Sequence, residues 1–178
     1  MQDDLPIFTR RLTLRPLTRA DIPPLVEMLN DFEVSRWLSV VPYPYTRDDA
    51  REFLTFLESA DPLDALGIEA REGLVGVVGI SPGATSGLGY WLGRAHHGKG
   101  YMSEAARALV SHYFATRDAD HLTSGYFENN TASARVLEKL GFIPNGHERV
   151  NSVAQDTEVL LKKVILPREL WEALSWKP

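Results

Sequence analysis

Gly98 and Gly100 stand two residues apart, flanked by Arg94, His96, His97 and Lys99. Glycine adopts positive φ at little cost and lets a backbone approach a ligand closely. Basic and imidazole groups around such a turn suit an anion, and the chemistry these types and spacing can do is phosphate binding. The turn follows an apolar, aromatic run at 88–92 that reads as a buried strand. It precedes a helical pattern from about Met102 to Thr116, with Ala105, Ala106, Leu109, Val110, Tyr113 and Phe114 on the inward face. A strand, a glycine turn and a helix N-terminus together leave backbone N–H groups unpaired, and a pyrophosphate is the natural ligand.

Residues 93–99 also fit G-x-x-x-x-G-K, the first part of a nucleotide-binding P-loop. The next residue there should be Ser or Thr to hold magnesium, but Gly100 follows, and no later apolar strand ends in a suitable Asp. The totals narrow the choice further. A chain of 178 residues, 44% hydrophobic and 24% charged, is expected to form one domain over 1–178 with a substantial core. A net charge of −5 argues against a nucleic-acid partner. With no cysteine, thiolate metal sites and cysteine nucleophiles are excluded. The five histidines lack metal-ligand spacing, so no metal is expected. The first residues are too polar for a signal peptide and no run could span a membrane, which makes the cytoplasm the expected location.

Several elements must position the turn. Residues 12–17 alternate as a strand ended by Pro16, and Thr18 with Asp21 forms a capping-box pattern ahead of Ile22, Leu25, Val26 and Leu29. Residues 31–45 break the periodicity while carrying Phe32, Trp37, Tyr43 and Tyr45, either as a substrate-facing rim or as cover for the core. A second capping box at Thr46 and Asp49 opens a helix with Phe53, Leu54, Phe56 and Leu57 as its apolar face, ended by Asp61 and Pro62. Strands at 66–70 and 74–80 join through Arg71, Glu72 and Gly73, and a small-residue loop at 81–87 leads back to the opening run. Residues 121–127 read as a strand. Asn130 then caps a helix striped by Val136, Leu137 and Leu140, which Gly141 stops. Residues 143–150 and 157–165 close as an antiparallel pair, and 167–176 form a short helix or ordered tail.

Three segments carry a resemblance. His97 to Met102 resembles Q/R-x-x-G-x-G/A, the pyrophosphate signature of the GNAT superfamily of acetyl-CoA-dependent N-acetyltransferases, with His97 in the Arg/Gln position and Met102 in the last small one. The segment from Glu128 to Phe142 resembles that superfamily's E-N-x-x-S-x-x-V-L-E-K-L-G-F helix through Asn130, Ser133, Val136, Leu137, Glu138, Lys139, Leu140, Gly141 and Phe142. The R-L-x-L-R-P-L at 11–17 is similar to the branch that acetylates ribosomal-protein N-termini, the RimJ/RimL-like branch. The resemblance implies an α/β (α+β) fold: a twisted, mostly antiparallel mixed sheet, splayed between its fourth and fifth strands and flanked by about four helices.

Acetyl-CoA, as cosubstrate, would enter that splay. Its pantetheine would pair near Trp91, Leu92 and Gly93, and its pyrophosphate would sit on His97, Gly98, Lys99, Gly100, Tyr101, Met102 and Ser103, with Asn130 and Ser133 closing the other side. A backbone N–H near Leu92 would serve the oxyanion. Ser133 would be the catalytic acid at the sulfur, or would only hydrogen-bond coenzyme A or its own helix. The family's base would fall near Ser152, which cannot serve; Glu148 is the outside candidate, and Glu104 anchors its helix. His96 and His97 could shuttle protons, contact phosphate or simply be exposed. The acceptor is expected to be a peptide N-terminus, with a small amine (aminoglycoside, polyamine or amino-acid derivative) or a non-catalytic acyl-CoA-binding role as the alternatives. The partners are then acetyl-CoA and an amine, with neither nucleic acid nor membrane, in a monomer or homodimer.

Overall fold

In the computed structural model, residues 4–81 and 87–174 are described; residues 1–3, residues 82–86 of the expected small-residue loop and residues 175–178 of the expected helix or tail lie outside them. The alternating segment forms strand β2 (Thr13–Pro16), whose Leu14 is fully buried, and a two-residue strand β1 (Ile7–Phe8) pairs with it. Then come β3 (Leu66–Ala70), β4 (Gly73–Ser81), β5 (Gly87–Leu92), β6 (His121–Phe127), β7 (Ile143–Ser152) and β8 (Thr157–Pro167). They make one sheet in the order β1-β2-β3-β4-β5-β6-β8-β7. Every neighbouring pair is antiparallel except β5 and β6, which pair in parallel only at Gly87–Thr123 and Leu88–Ser124. Past those residues the two strands diverge. The sheet opens between the strands expected to open, now fifth and sixth because β1 precedes them.

Helices α1 (Ile22–Leu29), α2 (Phe32–Ser35) and α3 (Arg47–Leu57) cover one face, packing Ile22, Leu29, Val34, Tyr45, Ala50 and Leu54 together. Helices α4 (Tyr101–Thr116), α5 (Thr131–Leu140) and α6 (Arg168–Leu174) pack with the sheet in the larger core, around Ile68, Val78, Leu109, Leu122, Leu137 and Leu166. The side chains of β5 alternate between the two faces as a pleated strand requires. Tyr90 and Leu92 pack with the larger core, and Trp91 packs with the smaller one.

Helix ends follow local chemistry. Thr46 Oγ1 accepts from Asp49 N–H at 3.2 Å while Asp49 Oδ2 accepts from Thr46 N–H at 2.7 Å, a full capping box. Gly141 ends α5 at φ 93°, its N–H donating to Glu138 C=O and the Phe142 N–H to Leu137 C=O, the double bond of a Schellman stop. Thr18 caps a single 3₁₀ turn (Arg19–Asp21) that feeds α1, and the Asp21 carboxylate accepts from both Arg15 and the Thr18 N–H.

Five expectations are corrected. Of the run at 88–92 only Leu88 is buried, because β6 no longer covers the strand beyond it. Six α-helices flank the sheet among the described residues, more than the expected four: Asp31 Oδ1 accepts from Glu33 N–H and caps α2 inside the stretch read as irregular, and the tail forms α6. Gly73 belongs to β4, leaving a two-residue turn of Arg71 and Glu72. Helix α3 ends at Leu57, ahead of Asp61. Phe56 on that helix is 57% exposed, since its side of the helix faces a cleft and not the core.

Candidate active site

A cleft of about 1780 Å³ runs through the opening in the sheet. Its floor is the backbone of β5. Gly93 N–H donates to Val75 C=O on β4 at 2.9 Å, and the alternation of an antiparallel ladder then turns Trp91 toward β4 and the N–H and C=O groups of Tyr90 and Leu92 toward β6. At the point of divergence Ser124 Oγ donates to Leu88 C=O at 2.7 Å and ends the ladder. Beyond it, among the described residues, no strand meets the polar groups of Tyr90 and Leu92, so an amide-rich guest has main-chain partners there. The Leu92 carbonyl is 2.9 Å from His97 Nε2, which places the imidazole proton on that nitrogen.

The glycine turn adjoins this floor. Gly98 and Gly100 both sit at positive φ, 75° and 76°, and Gly100 hands the chain directly into α4, whose first N–H groups lack intrahelical partners. From outside, Arg11 fixes the turn: Nη1 donates to Lys99 C=O at 2.9 Å, Nε donates to Glu104 Oε2 at 2.7 Å, and the guanidinium lies 5.0 Å over the Tyr101 ring. Thr9 Oγ1 and Arg11 N–H also donate to Glu104 Oε1, at 2.7 and 2.9 Å. Burial works to raise the Glu104 carboxyl, but these hydrogen bonds and the Arg11 charge outweigh it and hold the group below the ordinary carboxylate range. Lys99 Nζ meets Glu72 Oε1 at 3.2 Å on the β3–β4 turn, and the Tyr101 hydroxyl donates to the same carboxylate.

Opposite β5 stands the start of α5. Asn130 Oδ1 accepts from Ser133 N–H at 3.2 Å. Ser133 Oγ lies 2.8 Å from Tyr90 Oη, whose hydroxyl is also 3.2 Å from the Ser133 carbonyl. Burial pushes the Tyr90 phenol up to about 12 against the opposite pull of its bond to Ser133.

The other end of the cleft is aromatic and charged. Trp37, Phe53, Phe56, Leu57 and Trp91 line it with Glu33, Arg94, Glu148 and Lys163. Glu148 Oε2 faces Lys163 Nζ at 3.8 Å, Glu33 faces Arg36 at 3.4 Å, and Asp31 faces Arg94 at 2.7 Å. The β7–β8 turn roofs this end: Val153 N–H donates to Ser39 C=O at 3.0 Å and Gln155 Nε2 to Arg36 C=O at 2.7 Å. Ser152, beneath that turn, is fully buried and accepts from Gln155 N–H.

Comparison with known proteins settles the family. Residues 11–143 match the acetyltransferase (GNAT) domain family. The chain belongs to that family. It is an acetyl-CoA-dependent acyltransferase. It is similar to the uncharacterized N-acetyltransferase p20 of Bacillus licheniformis, 26% identical over 149 residues that cover 79% of this chain and 83% of that protein. Its fold is similar to RimL, a ribosomal L7/L12 alpha-N-protein acetyltransferase solved with coenzyme A, at a TM-score of 0.76 and 20% identity, covering 92% and 97% of the two chains. A spermidine N-acetyltransferase from Vibrio cholerae, solved with coenzyme A and spermine, is as similar in fold, at a TM-score of 0.76 and 17% identity, covering 92% and 99%.

Within this GNAT fold, Trp91, Leu92, His97, Gly98, Gly100, Tyr101, Met102, Ser103, Asn130 and Ser133 all border the one cleft. Gly93 and Lys99 do not: Gly93 is buried under Met28, and Lys99 is turned to Glu72. Met102 keeps its side chain in the core at 6% exposure, so its bulk in the last signature position does not fill the turn. The residue that the sequence reading missed is Tyr90. A lone hydroxyl inside an apolar strand needs a partner, and that requirement was the available signal. Among the described residues no group of three or more His, Asp or Glu is placed to hold a metal.

Proposed function

We propose that this acyltransferase carries acetyl directly to the α-amine of a protein or peptide N-terminus. The observation that carries the acceptor is the state of the acids: Glu33 and Glu148 at the aromatic end each face a cation already, Asp31 holds Arg94 from behind, and the third lining carboxylate, Asp64, accepts from Ser81 Oγ. A polyamine is best held by several uncommitted carboxylates. A single amine on an otherwise uncharged chain needs none, and it suits walls of Trp37, Phe53 and Trp91. An α-amine titrates at about 7.7–8.0 and a lysine at about 10.4, so the former offers far more neutral nucleophile to a weak base at neutral pH. The RimL likeness supports the same acceptor, while the equally close spermidine enzyme means that fold alone does not choose.

In this reading the pantetheine lies along β5 opposite Asn130 and Ser133, and the pyrophosphate sits at the glycine turn and the start of α4. Leu92 N–H donates to the thioester oxygen as it gains charge. Glu148 takes the amine proton through a water. The thiolate leaves beside Ser133. The chain acts as one domain over 1–178, as a monomer or homodimer in the cytoplasm, without nucleic acid or membrane.

Thioester cleavage followed with a thiol reagent, across peptides with varied N-termini, polyamines, aminoglycosides and amino acids, tests the acceptor. We expect kcat/KM at least about tenfold higher for uncharged peptide N-termini. Turnover of polyamines with inert peptides overturns the acceptor, and tight acetyl-CoA binding without any turnover overturns catalysis.

A further inference from the structure

We propose that Tyr90 is the positioning residue that frees the Ser133 hydroxyl proton to point into the cleft, where it hydrogen-bonds the departing sulfur. The inference rests on the acetyl-transfer reading above. It starts from proton counting at one contact. Tyr90 Oη carries one proton and has two acceptors within reach, Ser133 Oγ at 2.8 Å and Ser133 C=O at 3.2 Å.

If Tyr90 donates to the carbonyl, the serine proton is taken up by Tyr90 Oη and only lone pairs face the cleft. If Tyr90 donates to Oγ, the serine proton is released toward the cleft. The second arrangement orphans nothing. Ser133 lies in the first turn of α5, where its carbonyl accepts from the N–H four residues on. Burial holds the phenol protonated through the whole working range, so Tyr90 always has the proton to give.

The same counting says what Ser133 does. An alcohol holds its proton about as tightly as water does, far above the working range, whereas a thiol of the cysteine kind gives it up near about 8.5. Transfer from serine to a thiolate would therefore run far uphill. Ser133 lowers the barrier by donating a hydrogen bond as the C–S bond breaks and its electron pair moves to sulfur. The amine's proton leaves to the base, solvent protonates the thiolate, and neither Ser133 nor Tyr90 changes charge. Tyr90 then strengthens the donation, because a hydroxyl that accepts a hydrogen bond becomes a better donor.

The test uses Tyr90→Phe, Ser133→Ala and the double variant, with acetyl-CoA and the best acceptor of the panel. Each single change should lower kcat on the order of tenfold and leave the acetyl-CoA KM within about twofold, and the double should be no slower than Ser133→Ala alone. A full-rate Tyr90→Phe, or single effects that simply multiply, overturns the proposal. So does a wild-type chain that binds acetyl-CoA and turns nothing over, an outcome that removes the acetyl-transfer reading as well and is thereby distinguished. A fluorinated, more acidic tyrosine at position 90 covers the case in which Tyr90→Phe does not fold. It should add an alkaline limb to kcat that the wild type lacks, and an unmoved pH profile overturns the proposal.

Discussion

The wall made of β5, α4 and α5 and the wall made of α2, α3 and the β7–β8 turn enclose the same cleft with different materials. On the first, the polar groups offered to a guest are mostly backbone: the Tyr90 and Leu92 peptides and the first turn of α4. They are held by glycines at positive φ, an Asn cap and the Arg11 strap. On the second, the offer is side chains, Trp37, Phe53, Phe56, Glu33 and Glu148, carried on a four-residue helix and the turn after it, a helix flank and an edge hairpin. A backbone surface recognises a feature common to every donor, the amides and phosphates of one cosubstrate. A side-chain surface can be changed residue by residue without moving the sheet, and that is where an acceptor is chosen.

The largest expected effect comes from breaking the part both walls share. A Cβ at Gly76 would collide with the Trp91 carbonyl and press on Leu92, so no rotamer change relieves it. Gly76→Ala should lower stability by about 1–3 kcal/mol and weaken acetyl-CoA binding and acceptor turnover together, read by thermal denaturation and calorimetry. A variant that loses only one of the two functions shows that β5 does not couple the walls. Glu148→Gln comes next and separates them: turnover with a peptide acceptor should fall about a hundredfold while acetyl-CoA affinity stays unchanged. Retained turnover moves the base elsewhere, with Glu33 as the next cleft-facing carboxylate.

This contrast explains what could be read from the chain alone. Gly98, Gly100, Asn130 and Gly141 were legible because a positive φ or a helix cap is a local demand that few residue types meet. Their spacing within two short segments gave the cosubstrate wall nearly whole. Tyr90 was legible only as a hydroxyl in need of a partner, since that partner, Ser133, lies 43 residues on and meets it only across the opened sheet. Phe56 was mistaken for core because helical spacing marks an apolar face without saying whether protein or a cleft covers it. Glu148 depended on a register in β7, where a bulge between Pro144 and His147 shifts the pairing.

Arg11 tests whether the first wall is held from outside. Arg11→Ala removes the strap from Lys99 C=O, the Glu104 pair and the contact over Tyr101. Acetyl-CoA affinity should fall about fivefold with acceptor KM unmoved, the effect of two or three partly exposed hydrogen bonds to a charged group. The same strap has a pH signature. The folded-state Glu104 carboxyl is held below its unfolded value, so its contribution is full above about 4.3 and is lost as pH falls through the lower folded value. Glu104→Gln should flatten the acid side of the stability profile, and an unchanged profile shows that the carboxylate is not what fastens the turn.

The smallest effect is expected where the motif alone would place the largest. Lys99 occupies the basic position of a phosphate turn, yet its ammonium is paired with Glu72 on the neighbouring β-turn and it does not border the cleft. An ion pair this exposed contributes little, and it leaves the backbone donors of the turn untouched. Lys99→Ala should therefore change acetyl-CoA affinity less than about threefold. Glu72→Gln supplies the opposite arm, because it releases the ammonium to move toward the phosphates and should tighten binding slightly at low salt. If Lys99→Ala instead costs tenfold or more, the lysine leaves Glu72 when the cosubstrate arrives. The first wall would then depend on a mobile side chain as the second does, and the division between a backbone surface and a side-chain surface would fail at the pyrophosphate.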